Sequence, residues 1–142
     1  MIFLDANFLI NLYVETSNEH ERANEIYNLI ENEEKIISNL VIMEVITVMN
    51  IKLKLDLDLI SEVYKELNIS YKILNDATFY NKGFDILKRE FNKNKERIPL
   101  FDCVYVALMK NLGIEKIATF DDHFDNIEGI VKICWAYFFN YY

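Results

Sequence analysis

The chain has 142 residues, a length that suits a single domain with a core of its own. Hydrophobic residues make up 52% of the sequence, with only 3 glycines and 1 proline, and this composition excludes disordered chains and disulfide-rich scaffolds. The formal net charge of −8 excludes nucleic-acid binding through an overall positive charge. A nucleic-acid function would therefore require a local basic patch or bound cations.

In chain order, the predicted elements are strand 1–4, helix 7–13, helix 18–30, strand 35–38, helix 40–53, helix 58–67, strand 71–74, helix 76–95, helix 99–112, strand 116–119 and strand 131–134. Strands that alternate with helices indicate βα units and a parallel sheet. The predicted fold class is therefore α/β, a three-layer α/β/α sandwich with a central, mostly parallel sheet in one domain over residues 1–142.

Local patterns predict the ends and the buried faces of these helices. Asn18 and Glu21 have the spacing of a capping box at the start of the second helix. Pro99 suits the first turn of the last helix, and Gly113 suits its end. The residues expected to face the core are Ala23, Ile26, Tyr27 and Ile30 in the second helix, Ile60, Tyr64 and Leu67 in the fourth, and Tyr80, Phe84, Leu87 and Phe91 in the fifth.

Cysteine usage and apolar run length indicate a cytoplasmic protein. Cys103 and Cys134 have apolar neighbours and no metal-ligand spacing, so we expect free, buried thiols in a reducing compartment. The longest apolar run, from Cys103 to Met109, is far shorter than the ~20 residues that span a bilayer. No basic leader precedes Asp5, so no signal peptide is expected, and no membrane partner either.

Four acidic residues stand where the pattern favours apolar side chains or where a parallel sheet binds ligands. Glu44 and Asp102 each lie in an otherwise apolar helix, where an unpaired carboxylate is costly unless a cation or hydrogen bonds compensate. Asp5 and Asp121 follow predicted strands, at the carboxyl edge where α/β sheets bind ligands. We call these four residues the acidic quartet. Their number favours one shared site.

Each member of the acidic quartet also has a structural alternative. Asp5 could cap the following helix, Asp102 could accept hydrogen bonds from first-turn amides, and Glu44 could pair with a lysine. Clustered carboxylates repel one another unless a cation neutralises them. An all-oxygen ligand set without His or Cys favours Mg²⁺ or Mn²⁺ over zinc, and Mg²⁺ usually accompanies a phosphate substrate. The predicted chemistry is metal-assisted displacement at phosphorus.

Four short motifs, which succeed one another in a fixed order along the whole chain, resemble those of a known family. They are Asp5-Ala-Asn7, Glu44 in its apolar helix, Pro99-Leu-Phe-Asp102 with Ala107, and Ala118-Thr-Phe-Asp121-Asp-His-Phe124. This set resembles the motifs of the PIN-domain nucleases. As a small single-domain protein, the chain resembles the VapC toxins of that family. The resemblance implies a metal-dependent endoribonuclease that leaves a 5′-phosphate and a 3′-hydroxyl.

The resemblance also implies roles for individual residues and partners. The acidic quartet would be catalytic and would hold Mg²⁺ or Mn²⁺, while Asn7 and Thr119 would match supporting polar residues of the family. After the last motif, Asp121, Asp122 and Asp125 compete for the metal, and Asp121 ranks first on the Thr-x-Asp spacing. Asp122 and Asp125 are then supporting residues or solvated charges. The implied partners are an RNA substrate, a second copy of the chain and a small antitoxin.

Three further features leave alternatives open. Lys93, Lys95 and Arg97 form either a solvated helix end or an RNA-binding patch that positions phosphates. The two histidines are too few for a zinc site, and for His123 a partly exposed structural role is favoured over support of the acids. The aromatic segment 135–142 could pack on the core, form an interface or stack on RNA bases.

Two other functions remain open on the sequence alone. A PIN-like module could bind RNA or protein without nuclease activity, although the intact acidic quartet argues against such a module. A nuclease could instead serve housekeeping RNA processing, and a neighbouring gene for a small DNA-binding antitoxin would distinguish a toxin from it.

Overall fold

The computed structural model describes residues 1–135, and its centre is a sheet of five parallel strands. The strands are β1 (Ile2–Leu4), β2 (Lys35–Ser38), β3 (Lys72–Leu74), β4 (Lys116–Ala118) and β5 (Val131–Ile133). Their order in the sheet is β3-β2-β1-β4-β5, so the chain reverses its direction across the sheet between β1 and β4. Open α/β sheets bind ligands at the carboxyl edge of such a switch point.

Helices connect the strands and cover the sheet. They are α1 (Ala6–Tyr13), α2 (His20–Leu29), α3 (Asn39–Thr47), α4 (Leu57–Ser70), α5 (Tyr80–Asn94) and α6 (Leu100–Leu112). α1 contacts α2 and α3, α3 contacts α4, and α5 packs along α6. Right-handed crossovers place these two groups on opposite faces of the sheet. The predicted α/β sandwich is confirmed. Within residues 1–135, no helix is long and apolar enough to span a bilayer.

Helix α6 has the burial that the sequence predicted. It begins directly after Pro99 and ends at Gly113, whose φ of 69° is the left-handed conformation typical of a helix end. All residues from Asp102 to Met109 are buried. Both cysteines are free, Cys103 buried and Cys134 half-buried. An apolar helix surrounded by the sheet and α5 therefore carries Asp102 into the interior.

Helix α3 differs from the prediction of a buried helix over residues 40–53. Its α-helical part ends at Thr47, and a π-helical turn follows over Val48–Lys52. Met43 is 65% exposed and Ile51 is 66% exposed, so an apolar composition does not bury all sides of this segment. The wider turn follows a run of β-branched residues, which crowd one another in an α-helix. Glu44 is accordingly only half-buried.

Helix α5 turns to the core a face that agrees only in part with the prediction, since Leu87 packs against the core as expected but Tyr80 and Phe84 do not. Tyr80 and Phe84 are 42% and 49% exposed, whereas Gly83 is buried on the side that faces α6. A Cβ atom at Gly83 would lie 2.7 Å from Val104 Cγ2 and 3.0 Å from the Val104 backbone. Helices α5 and α6 approach so closely at Gly83 that Tyr80 and Phe84 lie to the side of the contact between them. The buried residues of α5 are Gly83, Ile86 and Glu90.

The capping box predicted at Asn18 and Glu21 is absent. Helix α2 begins one residue after Glu19, which occupies the cap position without a side-chain cap. The Glu19 backbone N–H donates instead to Asn11 Oδ1 at 3.1 Å. A side chain of α1, and not that of Asn18, therefore accepts a hydrogen bond at the start of α2. The predicted inner face of α2 is confirmed for Ala23, Ile26 and Ile30, which are all buried, with Tyr27 packed at its edge.

Helix α4 has the predicted period with one wrong member. Ile60 and Leu67 are buried as expected. Tyr64 is 53% exposed, and Val63 occupies the buried position between them. A phenol at this position keeps its hydroxyl in water, while the smaller valine fits against the sheet.

The aromatic residues beyond Trp135 lie outside the described residues.

Candidate metal centre

The acidic quartet comes together at the carboxyl edge of the sheet, beside the switch point between β1 and β4. Asp5 directly follows β1, and Asp121 lies in the segment that follows β4. Asp102 belongs to the first turn of α6, and Glu44 to the middle of α3. Four separate elements thus supply one carboxylate each. Ligand atoms of Asp102 and Asp121 lie within 4.8 Å of each other, and Asp5 and Glu44 interact with these acids through their charges.

The pKa values of these carboxylates reflect both their burial and the charges of the other acids. Burial raises the pKa of Asp5 well above its usual range, and the charges of Asp102 and Glu44 add to the effect. Burial followed by the charges of Asp121 and Glu44 raises the pKa of Asp102 to about 8. Burial also raises the pKa of Glu44, and the charge of Asp121 adds to it, although the hydroxyl of Tyr105 donates to Glu44 Oε2 at 3.0 Å and opposes the rise. The cluster cannot be fully ionised near neutral pH without a cation.

Thr119 fastens the two strand ends to each other. Its hydroxyl donates to Asp5 Oδ2 at 2.8 Å and accepts from the Asp121 backbone N–H at 3.0 Å, and the residue is fully buried. Asn7 Oδ1 accepts from the backbone N–H of Phe120 at 2.8 Å. Both polar residues that the family motif marks as supporting thus hold the segment after β4 against the start of α1. The position of Asp121 depends on these bonds.

Capping and ion pairing within the fold explain the positions of the four acids only in part. Asp5 Oδ1 does accept from the Ala6 N–H at 2.8 Å and caps α1. A carboxylate has about four lone-pair sites, so this bond and the one from Thr119 leave Asp5 further acceptor capacity. Within residues 1–135, Asp102 bonds to an imidazole rather than to first-turn amides, and Glu44 forms no ion pair with a lysine. Capping alone does not account for the acidic quartet.

His123 lies between two of the acids. Its Nδ1 atom is 2.9 Å from Asp102 Oδ2 and 2.9 Å from Asp121 Oδ1. The three residues form a group whose ligand atoms lie close enough together to hold a metal ion. The sequence favoured a structural role for His123. The signal available was its place two residues after the aspartate of the Thr-x-Asp motif.

Asp122 and Asp125 face a cation instead of the acidic quartet. Lys132 of β5 places its Nζ atom 3.1 Å from Asp122 Oδ1 and 2.7 Å from Asp125 Oδ1. The same ammonium donates to the Asp121 carbonyl at 3.4 Å. The Asp122 side chain is 89% exposed. Lys132, which no sequence pattern singled out, therefore holds the loop that carries Asp121.

Two clefts lie near the basic residues. A cleft of about 620 Å³ adjoins the acids and is lined on its floor and walls by Asn7, Glu44, Val48, Lys52, Leu53 and Phe120, among others. Lys52 is the cation on the α3 side of this cleft, and sequence reasoning missed it. A second cleft of about 400 Å³ includes Arg97 but no member of the acidic quartet. Both Lys95 and Arg97 lie over the Phe91 ring, whose centroid is 5.4 Å from Lys95 Nζ and 4.8 Å from Arg97 Cζ.

The bridge made by Thr119 predicts a difference between two substitutions. Thr119→Val keeps the shape but leaves Asp5 and the Asp121 N–H without their partner, which costs about 1–3 kcal/mol of unfolding free energy for buried groups. Thr119→Ser keeps the hydroxyl and loses only a methyl group, at about 1 kcal/mol. We expect Thr119→Val to lose most metal affinity and Thr119→Ser to retain it, measured by titration calorimetry alongside urea unfolding. Equal metal affinities in the two variants would show that the bridge does not position the acids.

Residues 2–130 match the family model of the PIN domain. No curated protein sequence matches the chain significantly. The solved structure of Mycobacterium tuberculosis VapC20, described as a sarcin-ricin loop cleaving toxin, superposes with a TM-score of 0.78 at 19% identity, covering 94% of this chain and 98% of that one.

Two further solved structures are also similar. VapBC2 from Rickettsia felis, bound to a DNA fragment from its promoter, gives a TM-score of 0.72 at 13% identity over 95% of this chain and 99% of that one. FitAcB from Neisseria gonorrhoeae gives 0.70 at 17% identity over 94% and 96%. These identities establish a shared fold. Together with the family match they confirm the resemblance carried by the motifs: the chain belongs to the PIN-domain family and has a VapC-like fold.

Proposed function

We propose that the protein is a divalent-metal-dependent endoribonuclease and acts as the toxin of a toxin–antitoxin pair. The observation that carries this proposal is the convergence of four carboxylates, from four separate elements, on the switch point of a PIN-domain sheet. Burial and mutual repulsion raise the pKa values of three of them, and a bound divalent cation would offset that repulsion.

The donor set fits a hard divalent ion. Oxygen atoms predominate in it, as they do at Mg²⁺ and Mn²⁺ sites. Within residues 1–135, the buried Ser38 hydroxyl has no hydrogen-bond partner. The register of β1 with β2 pairs Phe3 with Ile36, so two residues further along it would bring Ser38 opposite Asp5. An unpartnered hydroxyl at this edge suits a site completed by solvent or substrate. The ion would be held by Asp102 and Asp121, with Asp5 and Glu44 completing the set.

The residues of the chain then have distinct tasks in phosphodiester hydrolysis. An ion bound here would lower the pKa of an attacking water molecule and offset charge on the scissile phosphate. Asp5, which is 2% exposed and hydrogen-bonded to Ala6 and Thr119, keeps a fixed orientation and would help to position the ion. Glu44 is half-buried and borders the open cleft, so it meets the substrate side. Thr119 and Asn7 hold Asp121 in place through the bonds described above.

The remaining partners follow from the surface and the relatives. The cleft beside Glu44 is open to a phosphodiester chain, and the net charge of −8 limits non-specific RNA affinity, so recognition depends on the shape of a particular RNA. Two similar structures are complexes of VapB with VapC, one of them from Salmonella typhimurium. We include in the proposal a small antitoxin, a homodimer and a cytoplasmic location, with residues 1–142 as one PIN-like domain.

The proposal is tested by incubating end-labelled total cellular RNA with purified, antitoxin-free protein in Mn²⁺, with EDTA and Asp102→Asn as controls. Discrete cuts that EDTA and the substitution both remove would establish the nuclease. A protein that binds Mn²⁺ but cuts no RNA would favour a binding module. A protein that neither binds metal nor cuts would return the acids to structural roles. Loss of cell growth on expression, relieved by the neighbouring small gene product, would separate a toxin from a housekeeping nuclease.

Basic residues provide a separate prediction for RNA binding. If the RNA substrate follows the cleft beside Glu44, Lys52→Gln weakens RNA binding. The slope of log K against the logarithm of the salt concentration then falls by about 1, which corresponds to one phosphate contact. We expect the combined change of Lys93, Lys95 and Arg97 to Gln to lower it further, as a phosphate-positioning patch would. Lys65→Gln on α4 is the control. Filter binding of an uncleavable RNA at several salt concentrations measures the slopes, and an unchanged slope in the triple variant would identify a solvated helix end.

A further inference from the structure

We propose that His123 supplies a nitrogen ligand to the metal ion, together with oxygen atoms of Asp102 and Asp121, and that this ligand gives the site a preference for Mn²⁺ over Mg²⁺. The proposal rests on the proposed function, because it concerns the ion of that same site. It adds a residue to the set that the family motifs indicate and it names the ion.

The distances support a ligand. His123 Nδ1 lies 2.9 Å from one oxygen atom of each aspartate, and the three atoms lie within 4.8 Å of one another. Neighbouring ligands of an octahedral ion with bonds of about 2.1 Å are separated by roughly 3 Å. A single ring N–H, by contrast, serves one strong hydrogen bond and leaves the second carboxylate without it. Both observed distances, 2.9 Å, match the separation that neighbouring ligands of such an ion would have.

The backbone holds this imidazole in place. His123 lies in a short 3₁₀ turn, Asp122–Phe124, and its own N–H donates to Asp121 Oδ1 at 3.0 Å. The next residue, Phe124, is fully buried and anchors the turn in the core. The His123 side chain is 37% exposed, so solvent and ions reach it. A ring fixed at its backbone and open at its edge is suited to bind an ion that arrives from solution.

The charged side chains around His123 and its two aspartates favour the binding of a cation. Within residues 1–135, Asp102 pairs with no lysine or arginine, and His123 is its partner. Lys132, the nearest ammonium on the β5 side, is engaged by Asp122, Asp125 and the Asp121 carbonyl. The carboxylates that face His123 are thus not neutralised by a side-chain cation of full charge. A metal ion fills that role.

The choice of ion follows from ligand chemistry. Mg²⁺ binds oxygen ligands and retains its water molecules, whereas imidazole suits first-row transition ions. Replacing one oxygen ligand by an imidazole nitrogen therefore lowers the relative affinity for Mg²⁺. The site as built favours Mn²⁺, and removal of the imidazole would make the two ions more nearly equal.

The test uses pulsed electron paramagnetic resonance of Mn²⁺ bound to the whole protein, in which a directly bound imidazole nitrogen gives ¹⁴N modulation. The matched control is the other histidine, His20, whose Nδ1 contacts the Asn11 carbonyl at 2.9 Å outside the metal site. We expect the ¹⁴N modulation in the native protein and in His20→Gln, and its loss in His123→Gln. Calorimetric titrations should show Mn²⁺ affinity falling about tenfold or more in His123→Gln, with Mg²⁺ affinity changing far less.

The outcomes separate this inference from the proposed function. Native protein that binds Mn²⁺ without ¹⁴N modulation would overturn the ligand and leave the nuclease proposal standing. Native protein that binds no Mn²⁺ would overturn both. Equal losses of Mn²⁺ and Mg²⁺ affinity in His123→Gln would overturn the preference. Because the central spectrum is recorded on the native chain, the result does not depend on how well a variant folds.

Discussion

Replacing Asp102 with asparagine should abolish RNA cleavage and, at the same time, raise the melting temperature of the metal-free protein. Asp102 is 5% exposed and its pKa is raised to about 8 by burial and by the charges of Asp121 and Glu44. A neutral amide of the same shape removes the free-energy cost of burying a charge, but it is a poor ligand for a hard cation. We expect the cleavage rate to fall by about 10³-fold or more, and the melting temperature in EDTA to rise by several degrees.

A matched control separates this result from a general loss of charge. Asp122→Asn removes an acid only a short distance away, which is 89% exposed and paired with Lys132, so both the rate and the melting temperature should change little. Cleavage that survives in Asp102→Asn would contradict the assignment of the acidic quartet. Melting curves in EDTA and single-turnover cleavage assays provide the two measurements.

Asp5→Asn should lose activity without the same gain in stability. Both oxygen atoms of Asp5 accept hydrogen bonds, from the Ala6 N–H and from the Thr119 hydroxyl. An asparagine would place its NH₂ group against one of these donors and leave a buried group unsatisfied. These hydrogen bonds distinguish Asp5 from Asp102.

The metal-free protein should become less stable as the pH rises from about 4 to about 8. The pKa of Asp102 is about 8 in the folded protein and near its ordinary value of 3.8 when unfolded, so the folded state binds more protons between these limits. The free energy of unfolding then falls with pH, by up to about 1.4 kcal/mol per pH unit from one such group. Below about pH 4 both states are protonated and the contribution is fully present. The raised pKa of Asp5 acts in the same direction.

Urea unfolding in EDTA at pH 5, 6, 7 and 8 measures this dependence, and Asp102→Asn should flatten it. Glu33, whose pKa is lowered by Lys116 and the N-terminal ammonium, contributes with the opposite sign, but mostly below this range. Saturating Mn²⁺ should restore stability most at the upper end of the range, since it neutralises the ionised acids. Parallel curves for the native protein and the variant would contradict the burial of an ionisable Asp102.

The presence and the sequence positions of the strands are the features that the sequence predicts best. The strands are all present at their predicted places, and an acid at the end of each of two neighbouring parallel strands necessarily lies at one edge. Asp102 is buried as expected, because α6 is covered on all sides. The burial of Glu44 was overestimated, because composition does not reveal that Met43 on the same helix faces solvent.

Contacts that depend on irregular backbone were beyond the sequence. His123 meets Asp102, a residue 21 positions away, only because a 3₁₀ turn aims its ring at α6. Lys132 reaches back to Asp122 through the pairing of β5 with β4. Neither arrangement has a period that a pattern could detect. In the same way, the close approach at Gly83 decides which side of α5 is buried.

The π-helical turn at Val48–Lys52 has a consequence for how such a chain can vary. The Leu53 N–H donates to the Val48 carbonyl at 2.9 Å, so this turn contains one residue more than an α-helical turn would. Loss of one residue here would rotate Lys52 by roughly 100° about the helix axis, away from the cleft that it shares with Glu44. Single-residue insertions and deletions at this turn therefore offer a way for binding selectivity to diverge during evolution while the carboxylates stay unchanged.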